Sequence, residues 1–179
     1  MSTIILEGLD NVGKTTQINN IREEFNSSFF LTFHLSNIKT NKWSSEAYQS
    51  YFKNLYVEYF ELIESNEYDL LFDRFHLGES VYSPLYRNYS GDYVFELEQI
   101  IQNCNEVYLI VLIDEAKNLL NREDGNSFTI ELEKKQQEID LFIEAFKKSS
   151  IKNKILININ NKNQQQVFKE IKDFIKWKK

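Results

Sequence analysis

Cysteine, proline and methionine each occur once in these 179 residues, and glycine five times. The lone Cys104 excludes an internal disulfide and points to a reducing, cytoplasmic setting, where it reads as a small buried hydrophobe. With one proline and no Gly/Ser-rich stretch there is no evident linker. Residues 1–179 therefore read as a single domain, long enough to bury a substantial core. No apolar run approaches the roughly 18 residues that a membrane span requires, and the N-terminus lacks a basic-then-apolar signal pattern. Positive charge is also short, with 21 Lys and Arg against 27 Asp and Glu and a net charge of −6. No basic stripe is visible apart from the "KWKK" tail, which argues against a general nucleic-acid binder. A small anionic ligand held by a few local cations remains compatible with this balance. The oligomeric state, monomer or homodimer, stays open.

What is present is an alternation of strand-like and helix-like segments. "TIILEG" (3–8), "FFLTFHL" (29–35), "YDLLFD" (68–73), "EVYLIVLID" (106–114) and "KILININ" (153–159) read as strands. The fourth is nearly continuous in apolar residues, as a parallel strand buried on both faces should be. Helices are expected over about 14–25, 44–65, 115–122, 129–148 and 164–177, with helical pieces between 76 and 103 broken near Pro84 and Gly91. The 44–65 helix carries an aromatic stripe that includes Tyr48, Tyr51, Phe52, Tyr56, Tyr59 and Phe60. Alternating β and α segments predict an α/β fold, a three-layer sandwich with a five-stranded, mostly parallel sheet flanked by helices.

The first strand runs into Gly8-x-x-x-x-Gly13-Lys14-Thr15, which opens the first helix. This is the strand-loop-helix context in which a glycine-rich loop cradles phosphates. Gly8 and Gly13 let the backbone wrap, so that successive N–H groups through Asp10, Asn11, Val12 and Thr16 face phosphate oxygens. The helix N-terminus adds free donors and partial positive charge. Lys14 would bridge the β- and γ-phosphates of ATP, and the Thr15 hydroxyl would ligate Mg²⁺. A GTPase would need a guanine-reading Asn-Lys-x-Asp, and "NNKNQ" (160–164) lacks the aspartate.

The second informative stretch is "LLFDRFHLGESVYSPLYR" (70–87). Together with "LEGLDNVGKTTQ" it resembles the thymidylate kinases and their phage-type deoxynucleoside monophosphate kinase relatives. Asp73, Arg74 and Phe75 match that family's motif after the third strand, Tyr82 its tyrosine and Arg87 its later arginine. The resemblance implies the P-loop kinase fold and Mg·ATP-dependent phosphorylation of a deoxynucleoside monophosphate, dTMP to dTDP first. On it, Arg74 and Arg87 would hold the acceptor phosphate. Asp73 would hold Mg²⁺ through water, and Tyr82 would press on the 2′ face of the sugar. One of Tyr48, Tyr51 and Phe52 would stack on the base. Asp10 and Glu7 match acidic positions that would place the acceptor. The polar segment 121–128 would form a lid, with Arg122 as its only arginine. Ser83 stands where the family reads thymine with a glutamine, Asn11 where it has Arg or Gly, and "HLSNIKTN" with the next residue offers only Lys39 and Lys42 after the second strand. Two alternatives stay in view: a deoxynucleoside kinase, which usually carries Glu-Arg-Ser in place of Asp73-Arg74-Phe75, and a catalytically silent nucleotide-binding module.

Overall fold

A computed structural model describes residues 1–25, 30–35, 43–125 and 127–175. Strand β1 (Thr3–Gly8) is buried at every position. It lies between β3 (Asp69–Asp73) and β4 (Val107–Ile113), with β2 (Phe30–His34) outside β3 and β5 (Asn153–Asn158) outside β4. All four pairings are parallel. The sheet is thus wholly rather than mostly parallel, and the continuous apolar runs of β1 and β4 follow from having both faces covered. After β1 the chain builds one side of the sheet and then crosses to the other. The direction of winding therefore changes beside β1, and a crevice opens at the carboxyl ends of the strands.

Helix α1 (Lys14–Glu24) packs on β1, β3 and the last helix, α7 (Gln164–Ile175). Helix α2 (Ser45–Ser65) begins where Ser44 Oγ accepts a hydrogen bond from the Ala47 N–H and ends at a left-handed Asn66. Both are favoured terminators, since a short polar side chain satisfies a free helix donor and Asn tolerates positive φ. Its buried residues are Tyr48, Phe52, Tyr56, Phe60 and Ile63, one helical face, whereas Tyr51 is exposed. Phe60, Phe72 and Phe75 form the aromatic centre of that layer. Each such ring contributes about 1.5–3 kcal/mol by burial, so most of the stripe is core.

Helix α3 (His76–Tyr86) contains Pro84, contrary to the break expected there. The proline lies within the last turn, where its missing N–H forfeits a single helical bond, to the Ser80 carbonyl. The real break is the 87–92 turn, with Asn88 at φ 59. Gly91 is required in that turn, because a Cβ would sit 2.3 Å from the Glu79 carbonyl oxygen. A short α4 (Tyr93–Leu97) passes into a 3₁₀ turn (Glu98–Ile101). Beyond β4 come α5 (Ala116–Asn121) and α6 (Leu132–Lys148). The start of α6 is later than the periodicity predicts, because Thr129 Oγ1 takes the Glu131 N–H and Glu131 stays extended as the N-cap. Among the described residues no helix is long and apolar enough to cross a membrane.

Candidate phosphate-transfer site

The phosphate loop leaves β1 through Gly8 at φ 134, passes Asn11 at φ 65 and enters α1 through Gly13 at φ 83. A side chain at Gly8 would place its Cβ 2.2 Å from the Leu112 carbonyl oxygen, so the loop lies directly on β4. Lys14, the first residue of α1, is buried, and its Nζ donates to the Gly8 carbonyl at 2.9 Å and the Leu9 carbonyl at 2.5 Å. Burial brings its ammonium down to about 8; the Arg74 charge acts in the same direction, while Asp10, Asp73 and Glu7 oppose it. Thr15 and Thr16 are exposed on the next positions of the helix start.

Facing the loop is Arg74, just past the end of β3. Its Nη2 lies 2.7 Å from Asp10 Oδ1, and its N–H bonds the Leu6 carbonyl at 2.9 Å. The Arg74 backbone is left-handed at φ 70. A non-glycine residue held there costs on the order of 1–3 kcal/mol and persists where the surroundings impose it, often at functional sites. Asp73, one residue earlier, is buried. Its Oδ2 accepts from His34 Nδ1 at 2.8 Å, and its Oδ1 is buried without a hydrogen-bond partner among the described residues. A buried carboxylate oxygen with nothing donating to it suits a metal-bound water, so Asp73 fits Mg²⁺. No group of three or more His, Cys, Asp or Glu side chains placed to hold a metal occurs among the described residues. Mg²⁺ bound with phosphates needs no such group, since waters and one or two carboxylates complete its shell.

Glu7 lines the cleft beside Arg74 and also holds the start of α3. Its buried Oε1 accepts from the Phe75 and Leu77 N–H groups at 2.9 Å and the Gly78 N–H at 3.3 Å. It caps α3 from a neighbouring strand, satisfying donors that Phe75 at the N-cap leaves open. Burial raises its pKa, against the His76 charge and these N–H donors.

Beside Arg74 a cleft is lined by Phe52, Tyr56, Glu79, Tyr82 and Arg87. Arg87 Nη1 lies 2.6 Å from Glu79 Oε2, and its guanidinium sits 4.7 Å from the Phe52 ring centre. Glu79 Oε1 also accepts from Tyr89 at 2.6 Å and Tyr93 at 2.9 Å. Arg87 therefore enters the cleft with its charge already matched, unlike the more exposed Arg74, whose partner belongs to the loop itself. Of the three aromatic candidates, Phe52 lines this cleft. Tyr48 is buried beside it, and Tyr51 packs outward against Trp43. Tyr82 is buried and packs 5.0 Å from Phe128 and 5.7 Å from Phe142.

Arg122 is the C-cap of α5. It pairs with Asp114 at the end of β4, and its Nε donates to the Asn118 carbonyl at 3.1 Å. Segment 121–128 reaches the phosphate loop by another residue: Asn11 Nδ2 donates to Glu123 Oε2 and to Ser127 Oγ, each at 3.3 Å. Gln164, at the start of α7, was not singled out by any sequence pattern. It accepts from Gln17 Nε2 at 2.6 Å and covers Gly13, where a Cβ would lie 2.8 Å from its Nε2. Lys39 and Lys42 lie outside the described residues.

No family model matches this chain, and no curated protein matches it. Solved structures do. YorR from Bacillus subtilis, in complex with phosphorylated GDP, superposes with a TM-score of 0.68 at 16% identity over 98% of this chain and 96% of its own. Thymidylate kinase from Candida albicans gives 0.69 at 13% identity, covering 98% and 91%. Thymidylate kinase from Ehrlichia chaffeensis gives 0.65 at 14%, covering 96% and 97%. This likeness shows the fold: a thymidylate kinase-like P-loop sandwich.

Proposed function

We propose that this chain transfers the γ-phosphoryl group of ATP, with Mg²⁺, to a deoxynucleoside monophosphate, with dTMP the first acceptor to test. The observation that carries the reading is the junction of loop and cleft at Arg74, which lines the cleft and pairs with Asp10 of the phosphate loop at 2.7 Å. Lys14 stands at the other end of the same loop, buried, with its Nζ on the Gly8 and Leu9 carbonyls. An ATP γ-phosphate meeting an acceptor phosphate is an anion that both cations would neutralise.

In this reading the N–H groups of Gly8 to Thr16, including those of Val12 and Gly13, cradle the donor phosphates, and Lys14 exchanges its carbonyl partners for phosphate oxygens. Thr15, and Asp73 through water, would hold the Mg²⁺, which would supply neutralising charge to the phosphates. Arg74 orients the acceptor phosphate, with Asp10 fixing its fork. Phe52 and Arg87 form the wall against which the acceptor base lies, with Tyr48 supporting it and Tyr51 at its outer margin. Tyr82 limits room at the 2′ position. Arg122 would neutralise the transferred group from the lid side by leaving Asp114. Phosphoryl transfer through a loose transition state needs this positioning and charge more than a general base.

The test is ADP release from Mg·ATP with a panel of deoxynucleoside and ribonucleoside monophosphates and free nucleosides. Guanine nucleotides belong in the panel, because one structural neighbour holds phosphorylated GDP and another is described for broad substrate specificity. Expected is turnover with deoxynucleoside monophosphates, dTMP foremost. Preference for a free nucleoside would establish a deoxynucleoside kinase, and no stimulation by any acceptor a silent binding module.

A further inference from the structure

We infer that His34, on edge strand β2, is a positioning residue for Asp73: it holds one carboxylate oxygen so that the other faces the phosphate loop. The inference rests on the phosphotransfer reading above and adds a residue that lies in none of the motifs.

His34 and Asp73 are register partners on neighbouring parallel strands, and Asp73 is in turn the register partner of Leu6. Side chains at one level of adjacent strands leave the sheet on the same face, so His34 meets Asp73 from the side away from β1. Because an ionised carboxylate only accepts, His34 Nδ1 carries the hydrogen in the 2.8 Å contact to Oδ2. The pairing continues past the strand end, where the Leu35 N–H bonds the Asp73 carbonyl at 3.1 Å, so the His34 backbone is anchored to its partner.

With Oδ2 taken, Oδ1 is the oxygen left to accept, and it is buried without a partner among the described residues. Asp73 stands level with Leu6 of β1, two residues before the loop opens at Gly8, which places it at the loop end of the sheet. The terminal torsion of an aspartate is broad and roughly two-fold, so a carboxylate without a second anchor does not keep one oxygen directed. His34 supplies that anchor. Its side chain is 53% exposed against 7% for Asp73. Because Asp73 is buried, losing the histidine would leave its carboxylate without a donor, so metal handling has to be read beside stability.

The test compares His34→Leu, which removes the donor, with His34→Asn, whose amide N–H stands where Nδ1 does. Three quantities are measured on the full chain: the Mg²⁺ concentration for half-maximal rate with ATP and dTMP, Mn²⁺ binding by electron paramagnetic resonance in the presence of a non-hydrolysable ATP analogue, and the melting temperature. Expected for His34→Leu is a rise of about tenfold in both metal constants, as when an outer partner of a metal-binding group is lost. The acceptor KM should stay near wild type, the melting temperature should fall because a buried carboxylate has lost its donor, and His34→Asn should recover most of both losses. Wild-type metal constants in His34→Leu, or a loss that Asn does not rescue, would overturn the proposal. Failure of the wild-type chain to phosphorylate any acceptor would instead refute the phosphotransfer reading, and the Mn²⁺ titration would still decide the role of His34.

Discussion

Arg74 and Asp10 join the end of β3 to the phosphate loop by a 2.7 Å ion pair across 64 residues of sequence. The arginine makes this contact from a left-handed backbone at φ 70. Replacing Arg74 with Ala should cost the acceptor about 1.5–3 kcal/mol, as for a charge-assisted contact. Acceptor KM should rise and kcat fall, with ATP affinity within a few-fold of wild type. Arg74→Gly should lose the same activity but melt higher than Arg74→Ala, because alanine pays about 1 kcal/mol for left-handed φ and glycine does not. Equal melting temperatures for the two variants would show that the backbone relaxes once the arginine is gone.

Lys14 makes nucleotide affinity pH-dependent. With its ammonium at about 8 in the free protein, lowered first by burial, Lys14 is charged below that pH and neutral above it. Bound triphosphate favours the charged form, so the pKa rises in the complex and binding takes up a proton above pH 8. Affinity should therefore weaken by up to about tenfold per pH unit above 8, until the pKa of the complex is reached. Phosphate ionisation, near a pKa of about 6, is complete by then and does not interfere. Calorimetric ATP titrations from pH 7 to 9.5, in two buffers of different ionisation enthalpy, would read both effects. An affinity flat across that range would refute the assignment.

Arg122 separates a lid-side role from a helix-end role. Its pairing with Asp114 and the Asn118 carbonyl is the geometry of an arginine closing a helix C-terminus, worth under about 1 kcal/mol at a partly exposed site. If it also reaches the transferred group, Arg122→Ala should lower kcat by about 10³ with little change in melting temperature. Full kcat with a slightly lowered melting temperature would confine Arg122 to the α5 end.

Acid stability should depend on the buried pair Glu98 and His76, 2.7 Å apart. Burial alone would raise Glu98, but the His76 hydrogen bond and charge, with Ser149 and Ser150, bring it down to about 2. A carboxylate depressed from 4.5 contributes stability that is present above pH 4.5 and lost as pH falls towards 2. The difference between wild type and Glu98→Gln, at most about 3 kcal/mol on that shift, should shrink over this window in chemical denaturation. A difference independent of pH would mean that Glu98 acts by packing alone.

The periodicity and backbone sterics of short segments determined a great deal. The β1–loop–α1 unit is local: an apolar run, two glycines at positive φ and a lysine at the helix start specify its shape within a dozen residues. The apolar β4 and the order of strands and helices follow from the same kind of pattern. What those patterns did not contain is which charge meets which. Glu7 reads in sequence as an acid that would place an acceptor, yet it also holds the start of a helix, accepting from the Phe75 N–H across 68 residues. Arg74, Arg87 and Arg122 look alike as arginines near motifs, but they pair with a loop aspartate, a buried glutamate and a strand-end aspartate. Tyr48, Tyr51 and Phe52 share one stripe, and only the rotation of α2 against the sheet exposes Tyr51 and turns Phe52 to the cleft. Several contacts at the site join residues far apart in the chain, such as Asn11 with Ser127 across 116 residues and Gln17 with Gln164 across 147. A strand's period says which residues lie on a face, while its register against a neighbour decides what stands beside them. His34 met Asp73 only because β2 and β3 aligned at that level, and such alignment is a property of the assembled sheet.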